Sequence, residues 1–91
     1  MKKEIEYRMT DILVVDDDSK DLETIREGLR LYPKRFNLIT ANNGKKVKEI
    51  IRTVMVDVVI LDACMLGKDD PDLMRSLQKL QNSFPTTHVI I

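Results

Sequence analysis

Two short apolar runs, each ending in aspartate, constrain this chain more than any other feature. Ile12-Leu13-Val14-Val15 leads directly into Asp16-Asp17-Asp18, and Val58-Val59-Ile60-Leu61 leads directly into Asp62. Four consecutive aliphatic residues, mostly β-branched, predict a strand buried on both faces, the habit of a parallel sheet sandwiched by helices. In open α/β sheets ligands settle just beyond the carboxyl ends of the strands. Two such strand ends deliver several carboxylates to that place, which suits a divalent cation and a phosphate ligand.

The intervening segments read as helices and one further strand. Ser19 to Leu31 carries Leu22, Ile25 and Leu29 at helical spacing, continued by Tyr32; Asp18 or Ser19 caps it, Gly28 weakens it and Pro33 closes it. Phe36 to Ala41 is a mixed strand suited to a sheet edge. Asn42-Asn43-Gly44 is a turn in which Asn43 caps a second helix, Lys45 to Met55, with Val47, Ile50, Ile51 and Val54 on one face and basic residues opposite. After the strand Asp57 to Asp62 and a loop from Cys64 to Asp69, Asp70-Pro71 opens a third helix with a Leu73, Leu77, Leu80 stripe. Pro85-Thr86-Thr87 leads to a fourth strand at Val89-Ile90-Ile91. The order β-α-β-α-β-α-β with short connections predicts an α/β fold with a parallel sheet and right-handed crossovers.

Composition narrows the function. Ninety-one residues make one domain, and 43% hydrophobic with 33% charged residues is enough to build a core. A chain of this size buries only about 60–65% of its unfolded surface, so a thin stability margin is expected. Fifteen basic and fifteen acidic residues give zero net charge, which argues against a general nucleic-acid binder. No apolar run approaches a membrane span. The charged start of the chain lacks the apolar centre of a signal peptide, and the single cysteine, Cys64, suits a reducing compartment; a cytoplasmic location is expected.

If the first and third strands are neighbours, Asp16, Asp17 and Asp62 converge. Like charges brought together repel unless something neutralises them, and a hard, oxygen-seeking cation such as Mg²⁺ does so. A carboxylate there can also attack phosphorus to form an aspartyl phosphate. Asp18, beside Ser19, reads more simply as the helix cap.

With these parts the chain resembles the receiver domains of two-component response regulators, from Asp11 to Ile91. The resemblance rests on Ile12-Leu13-Val14-Val15-Asp16-Asp17, on Asp57-Val58-Val59-Ile60-Leu61-Asp62 and on Met65-Leu66-Gly67-Lys68-Asp69. It implies a three-layer, flavodoxin-like fold with strand order 2-1-3-4. It implies that Asp62 is the phosphoacceptor and that Asp16, Asp17 and Asp62 hold Mg²⁺ with the backbone carbonyl of Cys64. The donor would be a phosphohistidine on a sensor histidine kinase or phosphotransfer protein, docking at the first helix, and the chain would be a switch rather than a turnover enzyme.

The sequence departs from the family pattern at Leu66, where proline is usual, and at Asp70, where glycine is common. Residues 1–10 read as a polar arm and 11–91 as a truncated receiver that lacks the last helix, strand and helix, with their hydroxyl and lysine. This leads to the expectation of a homo-oligomer that covers the fourth-strand edge or an uncovered sheet face. An alternative is a degenerate receiver that acts as an unphosphorylated interaction module. A phosphohydrolase of the haloacid dehalogenase type fits poorly, since Lys20 stands where its opening motif has threonine or valine. His88 lacks catalytic partners, the basic face of the second helix (Lys45, Lys46, Lys48, Arg52) is solvated, and Met65 and Met74 pack; the resemblance implies that the Cys64 side chain faces the site mouth, the alternative being an inert loop side chain.

Overall fold

The computed structural model describes residues 9–65 and 72–91. Its elements are β1 (Thr10–Val15), α1 (Ser19–Leu29), β2 (Phe36–Ala41), α2 (Gly44–Thr53), β3 (Val58–Leu61), a 3₁₀ turn (Ala63–Met65), α3 (Leu73–Ser83) and β4 (His88–Ile90). The strands form one parallel sheet in the order β2-β1-β3-β4, with Ile12 opposite both Leu38 and Val58, and Ile60 opposite Ile90. The order reverses direction at β1. Right-handed crossovers therefore place α1 on one face and α2 and α3 on the other, giving three layers.

The two faces differ in how well they are filled. Leu13, Val15, Val59 and Leu61 point toward α2 and α3, where they close a core with Val47, Met65, Leu73, Leu77 and Leu80. The leucine stripe of α3 is buried along its whole length, as its spacing predicts. On the α1 side, Ile12 and Val14 are buried, but α1 itself contributes no fully buried residue. Val58 and Ile60 are only half-buried on that side, and Ile90 is 54% exposed. The expectation of a strand buried on both faces thus holds for β1 and fails for β3, because α1 lies nearer β2 than β3.

Helix starts follow their caps. The Asp18 side chain accepts from the Lys20 N–H at 2.9 Å, and the Asn43 side chain accepts from the Lys46 N–H at 2.9 Å. Helix ends differ from the periodicity. Helix α2 stops at Thr53, whose hydroxyl turns back to the Glu49 carbonyl, and Val54 leaves in an extended conformation rather than continuing the apolar stripe. Helix α1 stops at Leu29, two residues short of its expected end, and the following turn is closed by an edge-to-face contact between Tyr32 and Phe36. Met65 is in the core, whereas Met74 is exposed. The Leu66 to Asp69 motif, the Asp70-Pro71 helix start and most of the N-terminal arm lie outside the described residues.

Candidate functional site

The ladder that builds the sheet also aims the acidic residues. Beyond the last residue of β1, the Asp16 N–H still donates to the Ala41 carbonyl at 3.1 Å, and the Asp62 N–H donates to the Val15 carbonyl at 3.0 Å. Each aspartate is therefore tied to the neighbouring strand, and the carboxyl ends of β1 and β3 are held side by side. Side-chain oxygens of Asp16, Asp17 and Asp62 lie within 4.8 Å of one another. Asp16 is buried, Asp62 half-buried and Asp17 exposed, so the cluster opens to solvent on one side.

Short hydrogen bonds fix two of the three carboxylates. Asp16 Oδ1 accepts from the Asp18 N–H at 2.9 Å, and Asp62 Oδ1 accepts from the Cys64 N–H at 3.1 Å. The 3₁₀ turn after β3 supplies the second bond, since the Met65 N–H folds back onto the Asp62 carbonyl at 3.0 Å. Cys64 is exposed with a free thiol. Its N–H contacts the candidate site in a way the sequence pattern did not single out; the expectations for Cys64 were a side chain at the mouth and a ligating carbonyl.

Asp18 is not part of the cluster, because its carboxylate is committed to the start of α1. Asp21 is a further acidic neighbour. Its carboxyl is pushed above the ordinary value by the negative charge of Asp18, then that of Asp16, with smaller contributions from burial, a hydrogen bond with Asp16 and the charge of Asp62. The signal was available: Asp21 lies three residues after the capping Asp18, on the first turn of a helix that springs from the acidic strand end. His88 lies at the opposite end of the sheet, exposed at the start of β4, where its backbone N–H donates to the Asp57 carbonyl.

The donor set consists wholly of oxygen, carries several negative charges and sits at a strand end open to solvent. These are the requirements of Mg²⁺, which binds through one or two carboxylates and keeps several waters. No thiolate or imidazole joins the group among the described residues, so a softer metal has no matching site there.

Comparison with known proteins identifies the family and the fold. A sequence model described as the response regulator receiver domain matches residues 12–91. The chain is 32% identical over 79 residues to the transcriptional regulatory protein GlrR of Escherichia coli K12, covering 87% of this chain and 17% of that protein. It is 32% identical over 74 residues to PrrA of Mycobacterium leprae, covering 81% of this chain and 31% of PrrA. The chain thus spans only a minor part of the length of these relatives. Among solved structures, the signal receiver domain of an HD domain-containing protein from Pseudomonas fluorescens Pf-5 superposes with a TM-score of 0.72 at 24% identity, over 98% of this chain and 62% of that one. The response regulator MaeR, bound to beryllium trifluoride, gives 0.68 at 23% identity over 90% and 65%. Both likenesses concern the fold.

Proposed function

This chain belongs to the response regulator receiver domain family, and from that premise we propose that it is a phosphoacceptor module, not a turnover enzyme, in which Asp62 takes a phosphoryl group. Receiver domains of response regulators receive phosphoryl groups from histidine kinases. The donor in this reading is a phosphohistidine on a sensor kinase or phosphotransfer protein in the cytoplasm. The observation that carries the reading is the convergence of the Asp16, Asp17 and Asp62 oxygens at the carboxyl edge of β1 and β3.

The chemistry assigned to the residues is as follows. Asp16, Asp17 and Asp62, with the Cys64 backbone carbonyl, hold Mg²⁺, which supplies the positive charge needed to bring a phosphoryl group to an acidic site. The Cys64 N–H on Oδ1 fixes the rotation of the Asp62 carboxylate. An Asp62 oxygen attacks phosphorus, the phosphorus–nitrogen bond of the donor breaks, and the imidazole nitrogen keeps the electron pair and is protonated. The product is an acyl phosphate on Asp62. Self-association across the β4 edge or the sheet face bearing Ile90 belongs to the same reading, and a monomer in light scattering at high micromolar concentration would remove it.

The test is intact mass after incubation with Mg²⁺ and a small acyl-phosphate donor, with Asp62→Asn as control. A gain of one phosphoryl group that is lost in the variant supports the assignment. A folded wild-type protein that gains nothing overturns it and favours an unphosphorylated interaction module.

A further inference from the structure

Away from the acidic edge, α2 and α3 leave a trough of about 290 Å³ between them. It continues past the end of α2 into a second hollow of about 210 Å³ that shares Ile51, Arg52, Leu80 and Phe84. Ile51, Leu80 and Phe84 give the trough an apolar floor, and Phe84 is 39% exposed. Lys48, Arg52 and Lys79 stand along it, and among the described residues no carboxylate lines it. Arg52 and Lys79 form no ion pair with a carboxylate among the described residues. In a chain of zero net charge, cations gathered around an apolar channel are a local asymmetry; the acidic side chains of the site lie at the strand ends instead.

We propose that this trough docks an acidic, amphipathic segment of a partner protein. Apolar anchors of the segment fill the channel over Ile51, Leu80 and Phe84, and its carboxylates meet Arg52 and Lys79. Burial of the anchors supplies affinity, while the cations select sign and set the orientation. A second copy of this chain fits less well. The exposed acids of α1, its most acidic helix, are interleaved with arginines and pair with them, Glu23 with Arg26 and Glu27 with Arg30. Nucleic acid or an anionic membrane would use the cations but would leave an apolar floor recessed between two helices without a role.

The probe is a synthetic helix-forming peptide with leucine at positions i, i+3, i+4 and i+7 and glutamate elsewhere, compared with its lysine-for-glutamate counterpart. Binding is read by fluorescence anisotropy, and the site by NMR shift perturbation in the wild-type protein. The expected result is at least about tenfold tighter binding of the acidic peptide, weakening with salt, with shifts at Ile51, Leu80 and Phe84. The double substitution R52E/K79E, on exposed positions, should abolish that preference without altering the circular dichroism spectrum. Equal binding of both peptides, no binding, or shifts confined to other surfaces would overturn the proposal. So would co-sedimentation with phosphatidylserine vesicles, or self-association, in place of peptide binding.

Discussion

Strands β1 and β3 carry aspartates at both ends, and the two ends use them differently. At the amino end, Asp57 Oδ2 accepts from the Asp11 N–H at 2.8 Å, Asp11 Oδ1 accepts from the Asn37 amide at 3.0 Å, and the Asp57 N–H donates to the Asp11 carbonyl at 2.9 Å. These carboxylates are used to join β1, β2 and β3. At the carboxyl end, Asp16 and Asp62 each accept one backbone N–H through Oδ1, and their oxygens crowd together with those of Asp17. Residue type and strand are the same at both ends. What differs is where the donor comes from: at the amino end it lies on a neighbouring strand and the carboxylate joins the two, whereas at the carboxyl end it lies two residues along the same chain and the carboxylates are left crowded against one another.

The largest effect that separates the two ends is on stability. Asp57→Ala leaves the part-buried Asp11 N–H without its acceptor and is expected to cost about 1–3 kcal/mol in urea unfolding. Asp62→Ala removes an acceptor from the exposed Cys64 N–H and relieves crowding, so in chelator it should stay within about 0.5 kcal/mol of wild type. Equal losses at both ends would break the comparison. Next in size is the response to Mg²⁺. At ten times its dissociation constant the ion should stabilise the wild type by about 1.4 kcal/mol. That increment should vanish in Asp62→Ala and persist in Asp57→Ala, which differential scanning fluorimetry would show. A smaller effect concerns Asp18, which adjoins the site yet acts as a fastener for α1. Asp18→Ala should cost about 1 kcal/mol through loss of the helix cap while keeping most of the Mg²⁺ increment. Loss of that increment would move Asp18 into the site.

The sequence pattern was informative wherever one local interaction dominates. Apolar runs, helical spacing, caps and turn residues located the four strands and three helices of the described residues, and the acidic strand ends located Asp16, Asp17 and Asp62, because a parallel sheet leaves few alternatives for where such ends meet. What escaped depends on distant partners. That Val54 leaves α2 extended, that the Thr87 hydroxyl closes onto the buried Val56 carbonyl at 2.9 Å, and that Val58 and Ile60 are only half-covered are consequences of how helices settle on the sheet. Periodicity describes a helix face but not the coverage it achieves. The Cys64 N–H was missed for a related reason: a backbone donor has no residue type, and only the 3₁₀ turn after β3 aims it.

The smallest effect concerns Asp21, which stands between the two roles. It sits on the first turn of α1, a position where a carboxylate ordinarily stabilises the helix. Here the charges of Asp18 and Asp16 oppose its ionisation and hold its carboxyl above the ordinary value of 3.8. The folded state therefore binds the Asp21 proton more tightly than the unfolded chain does. Stability falls as pH rises from about that value through the raised folded-state value, and the loss persists above it. Asp21→Asn removes this contribution, so its urea midpoint should decline less than that of the wild type as pH climbs out of the acid range. Mg²⁺ should narrow the difference, because it offsets the Asp16 and Asp62 charges while leaving that of Asp18. Parallel pH profiles for the two proteins in chelator would show that Asp21 does not feel the cluster, and the acidic site would then end at Asp16, Asp17 and Asp62.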